Sequence, residues 1–166
     1  MKNRMLVQLV SVVGLLIVSS LPAAAQTTHP LKAAESTAEP GKAEAEVRQM
    51  LGEYFEAVEQ HELSKFLAFF AEGEDLTVYE DKEMYDWKSF VAFAEGFFQQ
   101  VAEIKFDLEK CTVNSLSPSI AVATGVFRGM GKTTSGEPMV VHNAYTFVLL
   151  RQGDRWRIKH CHESSL

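Results

Sequence analysis

The residues best suited to chemistry stand near the end of the chain. His160 and His162 are two apart in a run that alternates like a β-strand, and a two-residue period puts both on one face with Trp156 and Ile158. If that face is concave, both imidazoles look into an interior pocket. An imidazole titrates near neutrality and can serve there as a general acid or base. His162 is the first candidate for that role and His160 the second. The competing reading is a pair of hydrogen-bonded histidines that finish the core. His-x-His also suits a metal, with a third ligand from His142 or Asn143 on the neighbouring strand, hairpin parity deciding which. Zinc asks for three or four ligands in tight geometry. The pattern falls short of that, so no metal and no cofactor are expected.

Acids offer less. Asp75, Glu80, Asp81, Glu83 and Asp86 crowd one short stretch and read as a solvated rim. Asp107 alternates outward with Lys105 and Glu109. An Asp in an apolar pocket can shuttle a proton while a tyrosine holds the developing oxyanion. Tyr54, Tyr79, Tyr85 and Tyr145 could supply the hydroxyl, but no Asp falls inside an apolar run. Tyr54 lies on the apolar stripe of a helix, where a buried hydroxyl needs a partner. Aromatic residues such as Phe66, Phe70, Trp87, Phe90 and Phe98 could line a cavity for a hydrophobic small molecule; plain core packing is the alternative. The expected ligand-lining set is Tyr54, Tyr79, Trp87, Phe98 and Tyr145. No Ser-His-Asp elbow, phosphate loop, dinucleotide fingerprint or CxxC motif occurs, which excludes serine hydrolases, NTPases, kinases and dehydrogenases.

The elements that must position these residues follow from periodicity. Val47, Met50, Leu51, Tyr54, Phe55 and Val58 form one stripe of a long amphipathic helix. Leu63, Phe66, Leu67 and Phe70 repeat it after a break at Gln60-His61-Glu62. Leu76–Tyr79 and Glu83–Tyr85 read as a small hairpin. Asp86 is a natural N-cap for a third helix with Trp87, Phe90, Val91, Ala94, Phe97 and Phe98 on one side. After Ala102 the period falls to two, and four strands follow, with turns at Ser117-Pro118, Gly131–Pro138 and Gln152-Gly153-Asp154. Helices then strands mean an α+β fold: three N-terminal helices packed on a curved antiparallel sheet made of a short hairpin and a four-stranded meander.

The ends of the chain and its composition set the context. Residues 1–25 carry Lys2 and Arg4, then an apolar run to Leu21, then Pro22-Ala23-Ala24-Ala25. That is the pattern of a cleaved secretory signal; the run is short of the roughly 20 residues a spanning helix needs. Residues 26–43 hold Pro30, Pro40 and Gly41 and few large apolar side chains, the composition of a flexible leader. The domain is expected over 44–166, in a protein that is periplasmic or secreted and free of the membrane once the signal is gone. The 166 residues carry a net charge of −6, which speaks against nucleic-acid and anionic-membrane partners. An oxidising compartment permits a disulfide between Cys111 and Cys161; two buried free thiols are the alternative.

The element order, and a tryptophan opening the last strand, resemble the SnoaL-like branch of the NTF2-like superfamily. The nearest stretch is Thr146–Ser164, TFVLLRQGDRWRIKHCHES, with Trp156, Arg157, Ile158, His162 and Ser164 in the places of the family's closing hairpin. The stretch from Val47 to Phe90 is similar to its first helices and hairpin. The chain has Gln60-His61-Glu62 where members often have Asp, and Asp86 where Gly is common. The resemblance implies a ketosteroid isomerase-like cone, with a deep and mostly apolar pocket open at one end, and commonly a homodimer through the outer sheet face. Members isomerise, dehydrate, cyclise or hydrolyse epoxides; others only bind. The first expectation for this chain is therefore binding of a small apolar or amphipathic molecule. An isomerase, dehydratase or cyclase using His162, and a dimerising interaction module, are the alternatives.

Overall fold

The structure is a computed structural model that describes residues 41–73 and 75–166. The expected signal, and the expected leader before Gly41, lie outside them.

Helix α1 (Lys42–Glu59) buries the stripe read from the sequence: Val47, Met50, Leu51, Tyr54, Phe55 and Val58, with Ala43 and Ala57. It stops where His61 takes a left-handed φ of 59°, so that the Glu62 N–H returns to the Ala57 carbonyl at 2.8 Å. This closure satisfies a carbonyl that the helix end would otherwise leave bare. Helix α2 is a single turn and a little more (Leu63–Leu67), its Phe66 turned inward. Helix α3 (Trp87–Gln100) starts on a capping box: the Ser89 N–H donates to Asp86 Oδ1 at 2.8 Å, and the Asp86 N–H to Ser89 Oγ at 3.0 Å.

The strands are β1 (Thr77–Glu80), β2 (Glu83–Tyr85), β3 (Val101–Ser117), β4 (Ile120–Thr133), β5 (Pro138–Gln152) and β6 (Arg155–Ser165). They form one sheet in the order β2-β1-β6-β5-β4-β3. The meander β3–β6 is antiparallel, as expected. The sheet as a whole is not: β1 runs parallel to β6, pairing Thr77 with His160 and Glu80 with Glu163. The sequence expectation of an antiparallel sheet is corrected to a mixed one. A short hairpin read locally does not reveal which distant strand it docks on: β2 leads into the meander through α3, and β1 meets β6 only at the far side of that meander.

Register shifts bend the sheet where β3 meets β4 and where β5 meets β6, as extra unpaired residues do. The concave side holds Phe147, Leu149, Ile158 and Val78 against Val47 and Leu51 of α1, all essentially without solvent exposure. Gly125 shapes this wall. A Cβ there would lie 2.6 Å from the Tyr145 ring and 2.2 Å from the Lys110 carbonyl, so only glycine lets Tyr145 lie flat across β4. Cys111 and Cys161 are both free thiols. They stand on β3 and β6, with β4 and β5 between them. At about 4.8 Å per strand that separation is far beyond disulfide reach.

Candidate functional site

One residue on β6 decides which side chains enter the cone. Ile158 stands opposite Leu149 and His160 opposite Val148, so β6 carries an extra residue, Lys159, between them. Trp156 and Ile158 face inward. Lys159 and His160 then share the outward step, and alternation resumes with Cys161 and Glu163 inward, at 1% and 6% exposure. His160 and His162 therefore face the outer side of the sheet. The Tyr79 ring lies between them, with centroids 6.0 and 5.9 Å from theirs. This corrects the placement of His162 and His160 as pocket residues: strict period two holds from Trp156 to Ile158 and breaks at the bulge.

Inside the fold is a cavity of about 570 Å³. Its walls are mostly rings: Tyr54 and Phe55 from α1, Phe66 and Phe70 from the α2 region, Phe90, Phe97 and Phe98 from α3, and Phe127 from β4. Many are in edge-on or tilted contact, such as Phe70 with Phe90 at 4.5 Å and Tyr54 with Phe66 at 5.2 Å, the arrangement that aromatic quadrupoles favour. Of the expected ligand-lining residues, Tyr54 and Phe98 stand in this wall. Tyr79 lies on the outer face. Trp87 packs on the core from the first turn of α3 and is not part of the wall. Tyr145 is buried between Phe127 and Phe147, behind the wall rather than in it.

The polar part of the cavity was hidden from sequence reading. Glu163 and Glu80 both line it. With Cys161 they form a cluster whose ligand atoms all lie within 4.8 Å of one another. Asn143 and Tyr54 line the same cavity as the Glu163 carboxyl, and the Cys161 thiol stands 4.0 Å from its Oε1. Burial raises Glu163 well above the usual carboxylate range, and the neighbouring Glu80 charge adds to this. Glu80 is pushed up to about 7, by burial first and by Asp81 second. Two carboxyls this close cannot both ionise cheaply, so the pair holds a proton near neutrality. Burial also raises Tyr54 and Cys161, which keeps the phenol and the thiol protonated. Glu80 is thus no part of a solvated rim, although Asp75, Asp81, Glu83 and Asp86 are exposed as expected.

Asn143 faces the cavity and His142 faces out, its Nε2 3.2 Å from Glu109 Oε2. Asp81, at the β1–β2 turn, ties down the end of β6: it accepts from the Ser165 N–H at 2.7 Å and from the Ser165 hydroxyl at 3.1 Å. These bonds fix β6 against β1 beside the acid pair. A glutamate two places past a buried cysteine, after two consecutive polar residues, was the available signal. Ile158 and Cys161 are three apart, and that interval is incompatible with unbroken alternation of buried positions.

Helices packed on a curved mixed sheet around an open cavity define the NTF2-like cone. The chain belongs to the SnoaL-like domain family, whose profile matches residues 47–166. Solved structures share the fold. An NTF2-like superfamily protein from Salmonella enterica serovar Typhimurium aligns with a TM-score of 0.68 at 12% identity, over 76% of this chain and 93% of that one. A proposed scytalone dehydratase from Novosphingobium aromaticivorans aligns with a TM-score of 0.68 at 12% identity, over 75% and 84%. A proposed calcium/calmodulin-dependent protein kinase II association domain from Xanthomonas campestris gives 0.65 at 23%, over 80% and 95%. No curated protein sequence matches the chain significantly.

Proposed function

We propose that this SnoaL-like domain binds a small, largely apolar molecule in its cone, and that it does so after export from the cytoplasm. The observation that supports binding is the cavity, about 570 Å³ bounded mainly by phenylalanine rings, a size typical of small-molecule sites. Side chains that merely completed a core would fill it, since interiors are close-packed. The support for export is the charged, apolar and Ala-x-Ala succession of residues 1–25. The binding test is titration with the neutral apolar fluorophore N-phenyl-1-naphthylamine. Saturable binding at one site per chain is expected, weakened about tenfold or more in an Ala94→Leu variant that narrows the cavity. Lack of saturable binding in the wild-type protein would refute the reading.

A second reading has its own support in the Glu163–Glu80 pair. A shared proton in an apolar cavity, beside the Tyr54 hydroxyl, suits general acid–base chemistry without a cofactor, as in an isomerase or lyase. Glu163 takes the role that the sequence gave to His162. In this reading one carboxylate removes a proton from carbon, and Tyr54 donates to the oxygen that gains charge. The check is exchange of the α-hydrogens of 1-indanone in deuterium oxide. Catalysed exchange should fall by about a hundredfold or more in Glu163→Gln, and exchange no faster than in buffer would remove this reading.

A further inference from the structure

We infer that the molecule held in the cone is a hydrophobic amine, its ammonium group seated on Glu163 and Glu80 and its hydrocarbon body among the rings of α2 and α3. This rests on reading the cavity as a ligand site and goes on to name the chemistry of the ligand.

Charge makes the first argument. Three acids border the cavity, Glu80, Asp81 and Glu163, and among the described residues that line it there is no lysine or arginine. The one basic candidate, His142, has its ring on Glu109 outside. Two partly buried acids elsewhere in the fold are matched from within the chain. Glu46 accepts from Arg151 at 2.6 Å and from the Trp156 indole at 3.0 Å, and Glu59 accepts from Lys105 at 2.6 Å. Buried charges are stable only when paired. The buried Glu163 has no such counter-ion among the described residues, so its compensation comes as a proton or as a cation from outside.

Shape makes the second argument. The cavity is far larger than an inorganic cation needs, and most of its wall is aromatic. Ring faces attract an organic cation within about 6 Å of their centroids, and their edges pack its hydrocarbon. Tyr54 and Glu163 line the same cavity, which brings an aromatic ring and a carboxyl to one ligand. An ammonium placed on the acid pair gains its counter-charge, while the remainder of the ligand covers apolar surface. A carboxylate ligand of the same shape would meet three acids and no cation. A divalent metal could use Glu80, Glu163 and the Cys161 sulfur, but it would leave the aromatic wall without a role.

The test is calorimetric titration of the full mature chain, at about pH 8, with three probes of one shape: 4-phenylbutylamine, 4-phenylbutanol and 4-phenylbutyrate. The amine should bind at least about tenfold more tightly than the alcohol, and the carboxylate more weakly than either. In Glu163→Gln and in Glu80→Gln the amine should lose that advantage while the alcohol keeps its affinity. Alcohol binding equal to or tighter than amine binding overturns the inference and leaves the binding reading standing. Failure of all three probes overturns both. Zinc chloride titrated alone is the fourth arm. If zinc binds and excludes the amine more strongly than the amine itself binds, the acid pair is a metal site and the inference fails. The wild-type probe series needs no variant to fold.

Discussion

Glu163 and Glu80 stand opposite one another across the parallel pairing of β1 with β6, and both line the aromatic cavity. The two acids come from segments that have nothing in common in sequence. One follows a cysteine in the last strand, and the other ends a four-residue strand before a tight turn. Glu163 is the only buried acid among the described residues, and Glu80 adds to burial in disfavouring its ionisation.

That relationship makes stability depend on pH. A carboxyl whose folded pKa exceeds its unfolded value, near 4.3, is better protonated in the folded state. Its stabilising share is present below the unfolded value and is lost as pH rises through the folded one. For Glu80 that is between about 4 and about 7, and Glu163, raised chiefly by burial, contributes with the same sign. Glu163→Gln removes the titration of one member and relieves the other. It should raise the Tm by about 5 °C or more at about pH 8 and change it little at about pH 4. Thermal denaturation followed by circular dichroism measures this, and equal shifts at both pH values would contradict it.

A second prediction concerns Tyr145. Its hydroxyl is buried with no hydrogen-bond partner within the described structure, pressed against Gly125. A buried unsatisfied group costs about 1–3 kcal/mol. Tyr145→Phe should therefore stabilise the fold by about 1 kcal/mol, read from urea denaturation midpoints, with no loss of probe binding. The converse change, Gly125→Ala, should destabilise by about 2 kcal/mol or more, because the added Cβ meets backbone and a packed ring.

The bulge predicts an asymmetry among deletions. Lys159 is supernumerary in the β5–β6 ladder. Deleting it restores regular alternation and keeps Ile158, Cys161 and Glu163 inward. The deletion should fold and bind N-phenyl-1-naphthylamine within about threefold of wild type, at the cost of the Lys159–Asp75 ion pair, worth about 1 kcal/mol or less. Deleting Cys161 instead turns Glu163 outward and should abolish folding. Comparable tolerance of both deletions would show that the ladder can slip freely.

Processing supplies a fourth prediction. Expressed with its first 25 residues in a bacterium with a secretory pathway, the protein should be recovered outside the cytoplasm with Gln26 at its N-terminus. Mass spectrometry of the purified protein reads the end directly, and an intact Met1 would remove the export proposal.

Periodicity carried most of the fold. The stripe from Val47 to Val58, the Asp86 cap and the four alternating strands all depend on nearest neighbours along the chain, and each stands close to its expected position. The site was legible only in part. Tyr54 and Phe98 reach the cavity because helical stripes persist over several turns. The histidines did not, because one extra residue at Lys159 reverses every side chain beyond it. Glu80 read as solvent-facing because its acidic neighbours are exposed. Only the long-range pairing of β1 with β6 turns it inward, and no local pattern contains that pairing.

The same pairing bears on how the chain assembles. The meander can zip from β3 to β6 through short turns, and α1 can lie on it at once. Strand β1 must wait, because its docking edge on β6 lies beyond α3 and the whole meander along the chain. Ends that meet late incur the largest loop-closure cost before any contact rewards them. The acid pair thus belongs to the final stage of folding. Walls and rings can form before the acid pair closes the polar end of the cone, so a ligand that needs both acids would be held only by the finished fold.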